Sequence, residues 1–310
     1  MTGAILWFRR DLRLDDNPAL QAALQNCRQL IPLYIHHPGE KSPWTDGAAS
    51  RWWLHHTLAA LDGELRKRGS RLLIRQGEPL AVLQELAHEQ DIRQLYWNRL
   101  YEPAIIERDS QIKKTLAGTG IACQSFNGAL LFEPWEIQTG QNTPYKVFTA
   151  FWKACLRTGL PQDLPQPAPS SLPPLPKDLR TDRLEKLQLL PSIRWDSGLY
   201  DCWKPGEAQA QQQLDNFIAD AIEHYNNDRD LPGTEGTSRL SPHLHFGEIS
   251  PRQILQSVRS MTEFEESMAP TGQNVFIKQL GWRDFAPVSY THLRAHETKE
   301  EISYAVFCLK

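Results

Sequence analysis

Residues 236–253, with the sequence GTSRLSPHLHFGEISPRQ, combine hydroxyl groups, a guanidinium group and two serine–proline pairs. A serine followed by proline is typical of a helix start, because proline has no N–H to leave unpaired at the first helical position. The pairs at Ser241 and Ser250 therefore predict two helix N-termini. Unpaired N–H groups favour anions, so the polar side chains of 237–239 could complete a diphosphate site. The alternative is two ordinary capped helices whose serines satisfy only their own backbones.

A second group of candidate residues shares one helical face near the end of the chain. Gln279, Trp282 and Arg283 are spaced i, i+3 and i+4, and Phe276 lies one turn before Gln279. An indole beside a polar side chain can bind a base that is turned out of a nucleic acid. The ring stacks on the base, and the polar group forms hydrogen bonds with the edge of the base. The alternative is that Trp282 is a core residue, as most of the ten tryptophans must be.

Other catalytic signatures are missing from the sequence. It holds no G-x-G-x-x-G after the first strand, no P-loop, no H-E-x-x-H and no G-x-S-x-G. His243 and His245 alternate instead of taking a helical ligand spacing, and the five cysteines form no C-x-x-C pair. We therefore expect no metal site, and the predicted sheet alone gives no reason to expect NAD or ATP.

The elements that must position these residues begin with alternating strands and helices. Short apolar runs predict strands, and amphipathic stretches predict the helices between them. Such alternation is typical of an α/β fold with a doubly wound parallel sheet. The predicted strands are 4–8, 30–35, 71–75, 94–97 and 122–126, and the predicted helices are 18–24, 48–68, 79–89 and 105–116.

A proline-rich stretch separates this part from the next. Residues 161–176 hold seven prolines in a polar setting, which can neither continue a helix nor donate to a sheet. From Glu207 onward the apolar spacing is helical. We therefore predict an α/β domain over 1–135, a proline-rich interdomain linker over 136–205 and the beginning of an all-helical domain over 206–285.

The end of the chain departs from these patterns. A helix predicted over 274–285 should stop before Pro287, because a helix interior rejects proline. Residues 286–310 show no pattern that continues the domain. We expect them to be frame-shifted or adapter-derived sequence, that is, a non-native tail.

Composition narrows the class of protein. With 310 residues the chain is long enough for two domains, and its net charge of -3 does not indicate a polybasic nucleic-acid binder. Scattered cysteines favour a reducing compartment, and no leader segment or apolar run of the ~18 residues needed to span a membrane is present. We expect a soluble, cytoplasmic monomer with no membrane contact and no obligate protein partner.

Three segments resemble those of the DNA photolyase/cryptochrome family and follow the family's order. They are WFRRDLRLDDNPAL at 7–20, the 236–253 segment, and GWRDF at 281–285. The resemblance covers residues 1–285. It implies an antenna-type α/β domain followed by the start of a helical FAD-binding domain. Family members continue well beyond this point, so a C-terminally truncated member is expected.

The resemblance also implies roles for individual residues. Gln279 stands where many members carry glutamate, so it keeps hydrogen-bonding capacity without the charge. Phe276 stands where some have tryptophan. The family's electron-relay residues come from its later part, so no catalytic residue can be assigned. The implied contacts are with FAD for Tyr225, Thr237, Ser238, Arg239, Leu240, Ser241, Phe276 and Arg283, with a DNA lesion for Gln279 and Trp282, and with an antenna pigment for Arg51 and Glu102.

The function that the resemblance implies is light-driven DNA repair. In a complete member, reduced FAD donates an electron to a pyrimidine dimer in DNA, the dimer splits, and the electron returns to the flavin. The antenna pigment is a folate or a deazaflavin. Two alternatives stay open: a cryptochrome, which shares the three segments but acts as a blue-light receptor, and a stand-alone nucleotide-binding module without flavin.

Overall fold

The structure, a computed structural model, describes residues 3–38, 46–176, 179–262 and 264–293. The last part of the expected non-native tail, 294–310, lies outside the described residues. The chain forms two compact units, and each unit takes its residues from three separate stretches. Unit 1 comprises the described residues of Met1–Gly128, Gln166–Gln209 and His245–Glu248, and unit 2 those of Ala129–Pro165, Ala210–Leu244 and Ile249–Lys310.

Unit 1 is built on a five-stranded parallel sheet. Its apolar strands pair in register, with Ile5 opposite both Ile31 and Leu95. The second and third strands lie on one side of the first strand, and the fourth and fifth lie on the other side. This is the arrangement of a doubly wound sheet, and it confirms the predicted α/β fold. The strands are β1 (Gly3–Phe8), β2 (Gln29–His36), β3 (Leu73–Gln76), β4 (Gln94–Asn98) and β5 (Ala122–Phe126), in the order β3-β2-β1-β4-β5.

Three helices of unit 1 begin at a proline, namely those that start at Pro18, Pro79 and Pro103. Asn17 caps the first helix by accepting the N–H of Leu20 at 3.1 Å, and Pro18 follows it at the first helical position. The helices of the described chain are α1 (Pro18–Asn26), α2 (Ala48–Lys67), α3 (Pro79–Glu89), α4 (Pro103–Gly118), α5 (Phe148–Thr158), α6 (Leu199–Cys202), α7 (Glu207–Asp220), α8 (Tyr225–Asp228), α9 (Ser241–Phe246), α10 (Pro251–Met261) and α11 (Gly272–Leu293).

Side chains of β1 alternate between two buried cores. Leu6 and Phe8 belong to an apolar cluster that contains Trp52 of α2. Ile5 and Trp7 belong to a second cluster on the opposite face of the sheet. Burial on both faces explains why the first strand is a continuous apolar run rather than an alternating one.

A polar network fills the carboxyl end of β1 and β4. Asn98 donates from Nδ2 to Asp11 Oδ2 at 2.7 Å and to Asn17 Oδ1 at 2.8 Å. Arg13 is fully buried and donates to four main-chain carbonyls of unit 1. The charged segment after β1 is therefore a buried scaffold that ties loops of unit 1 together.

The proline-rich stretch is extended, and its second half lies along unit 1. Residues 161–176 contain neither helix nor strand. The N–H of Asp16 donates to the carbonyl of Gln166 at 2.7 Å, and the N–H of Leu172 donates to the carbonyl of Arg68 at 2.8 Å. The domain boundaries at 135 and 205 stay a prediction.

Unit 2 is helical, as the spacing after Glu207 predicted. Helices α5, α7, α10 and α11 surround one apolar core, in which Phe151, Phe217, Leu255 and Ile277 are buried. No helix in the described part of the chain is both long and apolar enough to cross a bilayer.

One expectation about the last helix is wrong. α11 was expected to stop before Pro287, yet it continues to Leu293. Pro287 lacks the N–H that would bond the carbonyl four residues earlier, which costs the helix one hydrogen bond. Phe285 and Val288 lie on either side of the proline and are buried in the unit 2 core, so apolar burial offsets that loss.

Candidate functional site

Tight backbone contacts hold the loop that precedes α9. At Gly236, an added Cβ would lie 2.5 Å from the Cβ of Asp228, so only glycine fits there. Gln213 of α7 donates from Nε2 to the carbonyl of Ser238 at 3.1 Å. Arg239 has a φ of 54°, in the left-handed region that a non-glycine residue rarely adopts. These contacts give the loop one defined shape.

The polar side chains of this loop stay accessible, while its apolar side chain is buried. Leu240 packs in the unit 2 core. Thr237, Ser238, Arg239 and Ser241 are only half-buried. Three hydroxyls and one guanidinium are hydrogen-bond donors, and the guanidinium carries a positive charge. The donor set therefore fits the diphosphate of FAD.

The two serine–proline pairs behave differently. The helix predicted to be capped by Ser241 instead has Ser241 as its first residue, because the carbonyl of Leu240 accepts the first helical bond, from Leu244 N at 2.8 Å. That expectation is wrong by one position. Ser250 caps α10 as predicted: its Oγ accepts from Gln253 N at 3.0 Å, and Gln253 Oε1 accepts from Ser250 N at 2.8 Å. The alternative of an ordinary cap therefore holds for Ser250.

Two of the predicted FAD residues, Tyr225 and Phe276, lie together in the core of unit 2. Their ring centroids are 5.4 Å apart in an edge-to-face arrangement, and Phe217 of α7 packs against both. Burial raises the pKa of the Tyr225 hydroxyl. The guanidinium of Arg229 lies 5.9 Å from the centre of the tyrosine ring. The pair is therefore a packed apolar wall with a neutral hydroxyl.

Arg283 and Gln279 are half-buried side chains of α11. Arg283 donates from Nη2 to the carbonyl of Leu244 at 3.4 Å, which places its guanidinium beside the helix that follows the polar loop. Gln279 donates from Nε2 to the carbonyl of Val275, four residues earlier, at 3.3 Å. Arg283 is thus joined to the loop region, whereas Gln279 is held along its own helix.

Trp282 is exposed on one face. Its ring stacks on Phe148 of α5 with centroids 3.6 Å apart and planes 12° apart. Phe285 meets the indole edge-on at 5.9 Å. The side chain nevertheless leaves 43% of its surface accessible, and the stack covers one face, so the accessible area lies on the other. Trp282 is therefore not a core residue.

Sequence reasoning missed Asp284. Its carboxylate is buried and accepts the backbone N–H groups of Leu131 and Phe132 at 3.2 and 2.9 Å. Burial raises the pKa of Asp284 to about 7. Asp284, a residue of α11, thus holds the segment that precedes α5. The only sequence signal for this residue was its place in the 281–285 segment.

We expect the stability of the protein to depend on pH through Asp284. An unfolded aspartate ionises near pH ~4, whereas burial holds the pKa of this one at about 7. Between these values the unfolded chain releases the proton and the folded chain keeps it, so Asp284 by itself lowers the melting temperature as pH rises through this window. His36, His55 and His56 act in the opposite direction, because burial lowers their pKa values.

The variant Asp284→Asn should lose this downward contribution, so its melting temperature should fall less, or rise more, with pH than that of the unaltered protein. The exposed substitution Asp201→Asn should leave the pH dependence unchanged. Burial also raises the pKa of Glu207 in unit 1 to about 7, so a part of the downward contribution should persist. Melting temperatures measured from pH 4 to pH 8 check this expectation. An unaltered slope in Asp284→Asn would contradict it.

The two antenna candidates lie in different surroundings of unit 1. Glu102 forms an ion pair with Arg10. Arg51 donates to the carbonyl of Asp46 at 2.8 Å and lines a hollow of about 830 Å³ whose wall includes Trp195. A hollow of this volume can hold a small-molecule ligand. No contact among the described residues joins Arg51 to Glu102.

Comparison with known proteins gives consistent results. The family model for DNA photolyase matches residues 4–170. A deoxyribodipyrimidine photo-lyase of Agrobacterium fabrum is 39% identical over 282 residues, which cover 91% of this chain and 57% of that protein. Cryptochrome-1 of Arabidopsis thaliana is 35% identical over 307 residues, which cover 95% of this chain and 44% of that protein. The chain thus spans about half the length of these relatives.

Solved structures share the fold. A bacterial class III photolyase from Agrobacterium tumefaciens has a TM-score of 0.87 at 35% identity, over 100% of this chain and 63% of that chain. An archaeal photolyase from Sulfolobus tokodaii, solved with two FAD molecules, has a TM-score of 0.76 at 25% identity, over 98% of this chain and 63% of that chain. On the matched family model, the sequence identities and the shared fold, the chain belongs to the DNA photolyase/cryptochrome family.

Proposed function

We propose that this chain supplies the antenna-type unit and the first part of the FAD-binding unit of a photolyase that repairs pyrimidine dimers in DNA under blue light. The observation that carries the proposal is the half-exposed indole of Trp282. It stacks on Phe148 and belongs to the same helix as Gln279 and Arg283. When bound in its reduced form, FAD supplies a light-excited electron to the dimer, which splits before the electron returns to the flavin.

The loop before α9 binds and orients the flavin in this proposal. The hydroxyls of Thr237, Ser238 and Ser241 and the guanidinium of Arg239 hold the anionic diphosphate through charge-assisted hydrogen bonds. Leu240 anchors the loop in the core. Because backbone contacts already fix the loop, binding requires little further ordering of the chain.

The remaining cofactor candidates shield and orient the ring system. Tyr225 and Phe276 form an apolar wall that excludes water, and the buried Tyr225 hydroxyl keeps its proton. Arg283 lies beside α9 and orients an anionic group through its guanidinium.

Two residues of α11 receive the lesion. A pyrimidine turned out of the DNA stacks on the open face of Trp282, since an aromatic ring accepts any base. Gln279 then hydrogen-bonds the base edge through its amide, which offers both a donor and an acceptor but no charge.

The test is repair by the full-length gene product. The purified protein is loaded with FAD, reduced, mixed with an oligonucleotide that carries one thymine dimer, and illuminated with blue light. Chromatography then counts the restored thymines. Repair that requires both light and FAD supports the proposal. Absence of repair by a protein that binds FAD and DNA would contradict it.

A second candidate function is a blue-light receptor, which the 35% identity to cryptochrome-1 over 95% of this chain favours. The same experiment separates the two functions. A cryptochrome binds FAD and changes its absorption in blue light, but restores no thymines in any dimer. A protein that retains no flavin would instead support a stand-alone nucleotide-binding module.

We also propose that Arg51 and Glu102 contact an antenna pigment, either a folate or a deazaflavin. Each pigment is offered separately, and its absorption is measured after gel filtration. Arg51→Ala should weaken binding of the retained pigment about tenfold, since one charge-assisted hydrogen bond contributes about 1.5 kcal/mol. Arg66→Ala removes an exposed arginine of the same helix and is the control. Equal pigment retention in both variants would contradict the assignment.

We further propose that the protein works as a cytoplasmic monomer. Cys27 and Cys155 are buried free thiols, which suit a reducing compartment. Light scattering of the full-length protein, with and without DNA, measures its oligomeric state, and a stable dimer would contradict the proposal.

A further inference from the structure

Three aromatic rings of unit 2 lie in a nearly parallel row that ends at the surface. Trp152 and Phe148 of α5 are 6.4 Å apart with planes 11° apart, and Phe148 and Trp282 are 3.6 Å apart with planes 12° apart. The inner two rings are buried, and only the indole of Trp282 is accessible. The row therefore has one free end.

Close packing holds the two inner rings, Trp152 and Phe148, in place beside Trp282. Gly281 of α11 lies so close to Trp152 that an added Cβ would overlap the Cε3 atom of that ring. Phe285 meets Phe148 edge-on at 5.7 Å and Trp282 edge-on at 5.9 Å. Phe148 is thus held on two sides, and its plane fixes the tilt of the indole that stacks on it.

A positive charge lies beside this stack. Lys278 is one helical turn before Trp282 on α11, so the two side chains share a face. Its Nζ is 5.9 Å from the centre of the Phe148 ring, within the range of a cation–π contact. In the part of the chain that the structure describes, no carboxylate forms an ion pair with this lysine. Its charge is therefore available to an anion at the surface.

We propose that Phe148 is a positioning residue that holds Trp282 as a stacking platform with a single open face, and that Lys278 binds a DNA phosphate next to the nucleotide stacked there. This inference rests on the proposed function and extends it. A platform with one open face accepts a base that has left the helix and cannot insert between two stacked bases. Phe148 therefore favours damaged over intact DNA, whereas Lys278 contributes to the binding of both.

The two contributions have different dependence on salt. Stacking releases no counterions, while each neutralised phosphate changes the slope of log affinity against log salt concentration by about 0.9. Binding of the full-length protein is therefore measured between 50 and 200 mM salt, with a duplex that carries one thymine dimer and with the same duplex undamaged. The variants are Phe148→Leu and Lys278→Met. The controls are Leu255→Ala, a buried side chain of the same core on α10, and Lys153→Met, an exposed lysine.

Phe148→Leu should lower the affinity for the damaged duplex about tenfold, as expected when an aromatic pair that orients a stacking ring is lost. Its salt slope and its FAD content should match those of Leu255→Ala, and its preference for damaged over undamaged duplex should fall. Lys278→Met should weaken binding to both duplexes and reduce the slope by about 0.9, which a purely structural lysine would not do.

Unchanged preference in Phe148→Leu, or an unchanged slope in Lys278→Met, overturns this inference if the unaltered protein repairs dimers. Failure of the unaltered protein to repair any dimer is a failure of the proposed function itself. Recovery of the damage preference by Phe148→Tyr, which restores an aromatic ring, would separate positioning of the indole from general destabilisation.

Discussion

Replacement of Trp282 by alanine is expected to lower the affinity of the full-length protein for dimer-containing DNA by about 10- to 100-fold, because stacking on an aromatic ring contributes about 1–3 kcal/mol per base. The indole is 43% exposed before any DNA binds, so its removal takes away a contact surface for the ligand as well as the ring that covers Phe148. Fluorescence anisotropy at a fixed salt concentration measures the change. Trp282→Phe keeps a ring and should retain most of the affinity.

Trp135→Ala is the matched control, since this tryptophan also belongs to unit 2 and is 57% exposed. It should leave the affinity for damaged DNA within about twofold, as most exposed substitutions away from a site do. Equal losses in both variants would show that Trp282 has no special role. Flavin absorption should be the same in all three proteins.

Replacement of Glu248 by alanine is expected to destabilise unit 1 by about 3–5 kcal/mol. The side chain is fully buried, and one oxygen, Oε1, accepts the indole N–H of Trp53 at 3.1 Å, the backbone N–H of Gly206 at 2.8 Å and the hydroxyl of Thr57. Alanine would leave these donors without their acceptor in a dry interior and open a cavity beside them.

Glu248→Gln keeps an oxygen at the Oε1 position for the same donors, so it should cost less, about 1–2 kcal/mol. The exposed substitution Glu85→Ala should change stability by less than about 0.5 kcal/mol. Chemical denaturation followed by tryptophan fluorescence measures the free energy of unfolding, since tryptophans lie in both units. A Glu248→Ala protein as stable as Glu85→Ala would show that the buried acceptor is dispensable.

The sheet was predictable because buried parallel strands are continuous apolar runs bounded by polar turns. The predicted strands 4–8 and 30–35 lie within one residue of β1 and β2 at each end, and the predicted helix 79–89 coincides with α3. The helix predicted over 105–116 extends in the structure from Pro103 to Gly118. Its start was missed because proline at the first helical position, and not apolar spacing, decides where that helix begins.

The geometry of the site was less accessible to sequence reasoning. The helical spacing of Gln279 and Trp282 was visible, but the ring beneath the indole comes from Phe148, on a helix distant in sequence, and no periodicity connects the two. The role of Asp284 depends on backbone N–H groups before α5, which sequence patterns do not reveal. Pro287 was misjudged because local propensity was weighed without the core burial on both sides of it.

Because unit 1 takes residues from three separate stretches, its folding is tied to the order of synthesis. All five strands have been synthesised once residue 126 is made, yet the unit still lacks the backbone bond from Leu12 to Phe246 and the buried carboxylate of Glu248. Contacts that close such long loops form late. Apolar surface of the nascent sheet therefore stays uncovered while α5 and α7 are synthesised. We expect chaperones that bind exposed apolar segments to bind unit 1 at this stage.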